Sequence, residues 1–190
     1  MLLCQDIRRQ VKRVSGSFSW EQKQAWSWAI TGRFFESFTH LQGIRLGLYR
    51  SLSDEVQTDF LAQILKSHGS YLYYPRIVSE GLEFFPEQGI WEKNEYGIDE
   101  PMATQPILPE FLDLLIVPCV ALGVHGERLG RGKGYYDRFL PKVSCFCLSL
   151  GFDFQIFPAL PQSPKDQRID WILTPTREYP ARIVIETKIF

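Results

Sequence analysis

Between Gly126 and Asp137 the chain reads GERLGRGKGYYD, which sets Gly126, Gly130, Gly132 and Gly134 among Arg128, Arg131 and Lys133. Glycine lets backbone N–H groups approach an anion closely, and the cations neutralise its oxygens. Tyr135, Tyr136, Asp137 and Arg138 follow, in a segment that can begin a helix and runs to Pro141. A helix N-terminus adds partial positive charge, so the combination is suited to holding phosphate. It is not the Walker pattern, because Gly134 rather than Ser or Thr follows Lys133, and its spacing also fails the dinucleotide fingerprint. A surface loop whose charges only solvate it is the plainer alternative.

A loop of this kind needs a strand to deliver it. Residues 114–117 form an apolar run short and branched enough for a buried strand, and Pro118, with no N–H to donate, ends its ladder. Upstream, Leu3, Ile7, Val11 and Val14 recur at helical spacing with Arg8, Arg9, Lys12 and Arg13 opposite, predicting an amphipathic first helix with a solvated basic face. Phe18, Ser19 and Gln22 spell a staple and capping box for a second helix. Its stripe of Trp26, Ile30, Phe34, Phe38 and Leu41 belongs to the core.

A strand is expected at 44–49. Ser53 can cap a third helix with Val56, Phe60, Ile64 and Leu65 on its apolar face, stopped by Gly69. That reading puts Glu55 in a first turn, where the macrodipole favours a carboxylate. Residues 71–74 read as a strand closed by Pro75, 143–150 as another, and 183–185 as a last strand or extended tail. The stretch 78–109 is irregular, with short hairpin or edge strands at 82–85 and 90–91. Strands alternating with helices predict the α/β class, with an open, mostly parallel sheet covered on both faces.

At 190 residues the chain fits a single domain, residues 1–190, with a sizeable core. A net charge of −1 argues against a general nucleic-acid binder, and the local basic character suits a small anion better than a polymer. Cys4, Cys119, Cys145 and Cys147 do not form a disulfide framework in a chain of this length; Cys145 and Cys147 share a strand face as small apolar residues. The first residues lack the apolar run of a signal peptide and no run reaches membrane-spanning length, so a soluble, cytoplasmic protein without membrane partners is expected.

The stretch from Gly126 to Asp137 closely resembles the signature of the 5-formyltetrahydrofolate cyclo-ligase (methenyltetrahydrofolate synthetase) family, G-x-R-L-G-x-G-x-G-Y-Y-D. Further agreement comes from Ile7-Arg8 (L-R), the segment 54–58 (E-x-x-T), and 96–101 (aromatic-G-I-x-E-P). It continues through 151–155 (G/A-F-x-x-Q), 161–166 (P-x-x-x-x-D) and 170–174 (D-x-I-x-T), so the likeness runs from Ile7 to Thr174. It implies a three-layer αβα, Rossmann-like domain with ligands at the carboxyl ends of the strands.

The resemblance also implies residue roles. Arg8, Arg128 and Lys133 hold ATP phosphates together with the backbone of Gly130, Gly132 and Gly134. Glu55 pairs with N–H donors of the pterin, Tyr96 lies against the folate, and Tyr135 and Tyr136 border its formyl group. Asp137 and Asp166 are implied ligands of Mg²⁺. The catalytic set is thus Arg128, Lys133, Tyr135 and Tyr136. Taken alone, Asp137 also reads as a helix N-terminal acid, Asp166 as a turn residue and Tyr96 as an exposed turn tyrosine. Cys4 stands where the family has lysine, Cys119 where it has glycine, and Leu122-Gly123 where F-D is common.

The implied reaction is ATP- and Mg²⁺-dependent cyclisation of 5-formyltetrahydrofolate to 5,10-methenyltetrahydrofolate through a phosphorylated formyl group, releasing ADP and phosphate. A monomer acting on small molecules, the folate in free or polyglutamylated form, is expected. Two rivals exist: a folate or nucleotide binder that kept the fold and lost turnover, favoured by Cys4 and Gly123, and an RNA binder using the Arg/Gly/Tyr loop, which conflicts with the overall charge.

Overall fold

The computed structural model describes residues 3–79, 81–163 and 166–181, so the strand or tail expected at 183–185 lies outside the described residues. The chain opens with helices α1 (Cys4–Ser15) and α2 (Trp20–Ser37), then strand β1 (Arg45–Gly47), helix α3 (Asp59–Ser67) and strands β2 (Tyr71–Val78) and β3 (Gly81–Pro86). Next come β4 (Trp91–Lys93), β5 (Asp99–Pro101), β6 (Leu114–Ile116), β7 (Ala121–Gly123) and β8 (Arg128–Leu129). Helix α4 (Tyr135–Phe139) follows, and then β9 (Phe146–Leu150), β10 (Ile156–Phe157), β11 (Trp171–Leu173) and β12 (Glu178–Pro180).

The main sheet runs β12-β11-β9-β6-β1-β2-β3. The stretch from β11 to β2 is parallel, and only the edges, β12 and β3, are antiparallel. In β6 successive side chains point to opposite faces, and the two faces bury different layers. Leu114 and Ile116 join Leu46, Leu72 and Leu148 under Ile30 and Phe34 of α2 and Leu61 and Leu65 of α3. Leu115, Val117 and Cys147 look the other way, toward Phe84, Phe139 and Leu140. Helices therefore flank both faces, as expected, but α4 is a single turn and a half extended by a 3-10 turn at Leu140–Lys142. The first helix sets Ile7 and Val11 against Ala121 and Leu129 of the small sheet β10-β7-β8 and against Leu160 beyond it.

The capping box before α2 forms as predicted: Gln22 N donates to Ser19 Oγ at 3.2 Å and Ser19 N donates to Gln22 Oε1 at 2.9 Å. Pro75 does not close its strand. Tyr71 N donates to Ile44 O and Leu48 N to Tyr73 O, each at 2.8 Å, so odd-numbered residues of β2 face β1. By the same alternation Pro75 turns its missing N–H to that side, beyond the last β1 pairing at Tyr73, where no ladder bond is lost.

The third helix begins at Asp59, not near Ser53. Capping at Ser53 loses to bonds that hold the segment as a loop: Thr58 Oγ1 donates to Tyr49 O at 2.8 Å, and Gln57 Nε2 donates to Leu52 O at 2.8 Å and Glu55 O at 2.9 Å. Residues 52–57 are thereby held as a structured loop at the carboxyl end of β1. Glu55 consequently lies in that loop rather than in a helical first turn, and the macrodipole account of it does not apply.

Candidate active site

The glycine loop leaves β6 through a feature hidden in the sequence. After Pro118 the chain forms an antiparallel hairpin, with Ala121 opposite Leu129 and Leu122 opposite Arg128. Arg128 is thus a strand residue delivered beneath the loop, not part of the loop. Gly126 turns the hairpin at φ +87°, and a Cβ there would collide with Ile169 O, whose own N–H donates to Gly126 O at 2.9 Å. Gly134, at φ +71°, leads directly into α4. Because α4 is so short, its macrodipole is weak, and the positive character of this corner comes from loop N–H groups and cations.

These elements enclose a cavity of ≈ 330 Å³ at the carboxyl ends of β1 and β6. From the loop side Arg128, Gly130, Gly132, Lys133 and Gly134 line it, followed by Tyr135, Tyr136 and Asp137. Glu55 lines it from the loop after β1, and Tyr96 from the turn of the β4–β5 hairpin. Lys133 Nζ stands 5.9 Å from the centroid of the Tyr96 ring, bringing a phosphate-type cation beside a stacking-type ring.

Two predicted residues stand elsewhere. Arg8 is behind the loop, donating from Nε to Gly130 O at 2.8 Å and bordering a smaller pocket of ≈ 140 Å³ with Lys12, Asp54, Cys119 and Arg131. Asp166 is not among the lining residues of either cavity; its carboxylate accepts from Ser163 N at 2.7 Å and Ser163 Oγ at 2.9 Å.

Arg128 carries the electrostatics of the floor. Its side chain is 3% exposed; Nη2 pairs with Asp137 Oδ1 and Nη1 donates to Pro118 O at 3.2 Å. Among the described residues, its Nε finds no acceptor. The Tyr136 hydroxyl is likewise buried without a partner, and its ring centroid lies 5.8 Å from the guanidinium carbon. Burial pushes the Tyr136 phenol well above its ordinary pKa, and the Glu55 charge adds to the shift, so it stays protonated and able to donate. Leaving a buried donor unmade costs about 1–3 kcal/mol.

Glu55 is buried as well. Its Oε2 accepts from Leu52 N at 3.0 Å, and its Oε1 accepts from Arg131 Nε at 3.1 Å and Nη2 at 3.0 Å. Arg131 received no role of its own from the sequence. The signal that could have found it is the adjacent acidic pair Asp54-Glu55, which needs a counter-charge once buried.

The departures from the family pattern are accommodated. Cys4 packs with Ile7 and Val11, and a side chain at Gly123 would collide with Glu127 Oε2, so here Glu127 fills that space. Cys119 is buried with Sγ 3.5 Å from Leu150 O, and burial pushes its thiol up to about 12, so it remains neutral. All of the cysteines are free thiols. No helix among the described residues is long and apolar enough to cross a membrane.

Fold and cavity together define the class: an α/β protein whose strand ends hold a cleft lined by glycines and cations on one side and by aromatic side chains on the other. The particular family is given by comparison. Residues 4–175 match the model of the 5-formyltetrahydrofolate cyclo-ligase family. The chain belongs to that family and is therefore an enzyme of the ligase class. It is 25% identical over 184 residues to the mouse 5-formyltetrahydrofolate cyclo-ligase, covering 88% of this chain and 91% of the mouse protein. It is 29% identical over 144 residues to the Haemophilus influenzae 5-formyltetrahydrofolate cyclo-ligase, covering 72% of this chain and 76% of that one. The NMR structure of the Aquifex aeolicus 5,10-methenyltetrahydrofolate synthetase shares the fold, with a TM-score of 0.86 over 98% of this chain and 96% of that chain at 24% identity.

Proposed function

We propose that this chain, acting as a monomeric single domain on small molecules, converts 5-formyltetrahydrofolate and ATP into 5,10-methenyltetrahydrofolate, ADP and phosphate. The observation that carries the reading is one cavity that brings Arg128, Lys133, Tyr135 and Tyr136 together on one side with Glu55 on the other, while Arg128 Nε and Tyr136 OH are buried and unpartnered among the described residues. A formamide carbonyl is a poor electrophile and its oxygen a poor leaving group. Transfer of the γ-phosphoryl group to that oxygen makes the carbon iminium-like. The neighbouring N10 amine then attacks, gives up its proton, and phosphate departs with the former formyl oxygen.

The protein does little covalent work in such a sequence; it positions and stabilises charge. Arg128 and Tyr136 donate toward the oxygen on which charge gathers. Lys133 and the N–H groups of Gly130, Gly132 and Gly134 hold phosphate oxygens, and Arg8 braces the loop from behind through Gly130 O, within reach of the smaller pocket. Tyr135 and Tyr96 wall the folate, and Glu55 accepts from its pterin N–H groups.

Among the described residues no set of three or more His, Cys, Asp or Glu side chains could by itself hold a metal. A Mg²⁺ ion suits such a place, because it customarily takes one or two carboxylates and completes its shell with phosphate oxygens and water. Asp137 on the cavity wall would hold it, whereas Asp166, the other carboxylate implied by the resemblance, lines neither cavity; when bound, the ion would supply neutralisation of phosphate charge.

Incubation with 5-formyltetrahydrofolate, ATP and Mg²⁺ should produce the methenyl chromophore and phosphate in equal amounts, and omission of any one component should abolish both. A protein that binds folate and nucleotide yet forms no methenyl product is the non-catalytic relative instead.

A further inference from the structure

Arg131 crosses from the glycine loop to the segment before α3. Both of its bonds to Glu55 fall on Oε1, at 3.1 and 3.0 Å, and Nη2 also reaches Asp54 Oδ1 at 2.5 Å. The Glu55 side chain is 9% exposed, and that of Arg131 44%. A carboxylate offers roughly four acceptor sites. Arg131 occupies Oε1, Leu52 N takes part of Oε2, and the remaining capacity lies on the oxygen that Arg131 leaves alone.

We propose that Arg131 is a positioning residue: it holds the buried Glu55 carboxylate ionised and in one orientation for the N–H donors of the folate ring. It ties that orientation to the loop that serves the nucleotide. The inference rests on Glu55 being the folate-binding carboxylate.

The surrounding groups agree with it. Burial pushes Glu55 above the usual carboxylate range, Arg131 is the foremost opposing influence, and the neighbouring Asp54 adds to the rise. Tyr49, Tyr136 and Cys119 also feel the Glu55 charge, but burial raises each of them and keeps it neutral. Arg128 is committed to Asp137. Arg131 is therefore the cation that compensates Glu55. Folate binding by an ionised Glu55 is present above its pKa and lost as pH falls through it. Removing Arg131 raises that pKa further, so the acid limb of folate affinity moves to higher pH.

The test is equilibrium binding of 5-formyltetrahydrofolate to nucleotide-free protein, across the acidic and neutral range, with thermal melting to verify folding. Arg131→Gln should shift the acid limb upward and weaken binding on the order of tenfold on the acid side of that limb, the effect of one unit of pKa change. Arg131→Lys should return the limb toward its original position without recovering full affinity, since an ammonium lacks the guanidinium fork. Glu55→Gln should abolish the limb. If Glu55→Gln leaves folate affinity unchanged, the assignment of Glu55 fails and the inference with it. If Glu55→Gln weakens binding while Arg131→Gln alters neither affinity nor limb, the positioning role alone is overturned.

Discussion

Replacing Arg128 with alanine should lower kcat/KM by on the order of 3 kcal/mol, roughly a hundredfold to a thousandfold, the scale for losing one preorganised charge-stabilising donor. The expectation follows from position. The side chain is 3% exposed, lines the cavity, is fixed by Pro118 O and Asp137, and keeps a buried Nε without a partner among the described residues. Arg128→Lys keeps a charge beside Asp137 and so protects the fold, but it loses the planar fork and should recover only part of the rate. Measuring both variants beside their melting temperatures separates lost chemistry from lost structure. An Arg128→Ala enzyme with wild-type kcat/KM would remove the cavity floor from the mechanism.

Phe84→Ala should cost about 3–5 kcal/mol of stability, as large-to-small changes in aromatic cores do, and depress turnover as well. Phe84 is 0% exposed in β3; its ring centroid is 4.9 Å from that of Phe139 and 6.5 Å from that of Tyr136. It thus backs the short helix that carries Tyr136 and Asp137. A chain of this size should melt roughly 10 °C lower. Phe84→Leu should fall between the two, because it refills much of the volume. If Phe84→Ala melts within about 2 °C of the parent protein, the packing account of that face is wrong.

Sequence pattern reaches as far as local chemistry decides the structure. The strand after Leu114, the capping box at Ser19 and the amphipathic first helix were legible because each is set by a few adjacent residues or one periodicity. The clustering of Glu55, Tyr96, Arg128, Lys133, Tyr135 and Tyr136 around one cavity could be expected only through the resemblance, since the strand ends that gather them are far apart in the chain. Residues 121–129 hide their hairpin because strands of two or three residues show no alternation. Pro75 looked like a stop because its direction depends on register, which only pairing with β1 and β3 settles. Ser53 looked like a cap because the competing partners of residues 57 and 58 include Tyr49, on the strand side of the loop. The Arg128–Asp137 pair joins residues nine positions apart. It was missed because Arg128 read as a loop cation and Asp137 as a helix-terminal acid.

The central claim, that ATP phosphorylates the formyl oxygen and phosphate carries that oxygen away, is tested most directly by following that oxygen. 5-Formyltetrahydrofolate labelled with ¹⁸O in its formyl group should be turned over with unlabelled Mg-ATP in ordinary water, and the released phosphate examined by mass spectrometry. The proposed sequence breaks the bond between the formyl carbon and its oxygen while the oxygen is bound to phosphorus, so each phosphate should carry one ¹⁸O per methenyl product formed. Unlabelled phosphate, with the label recovered in water, would contradict it.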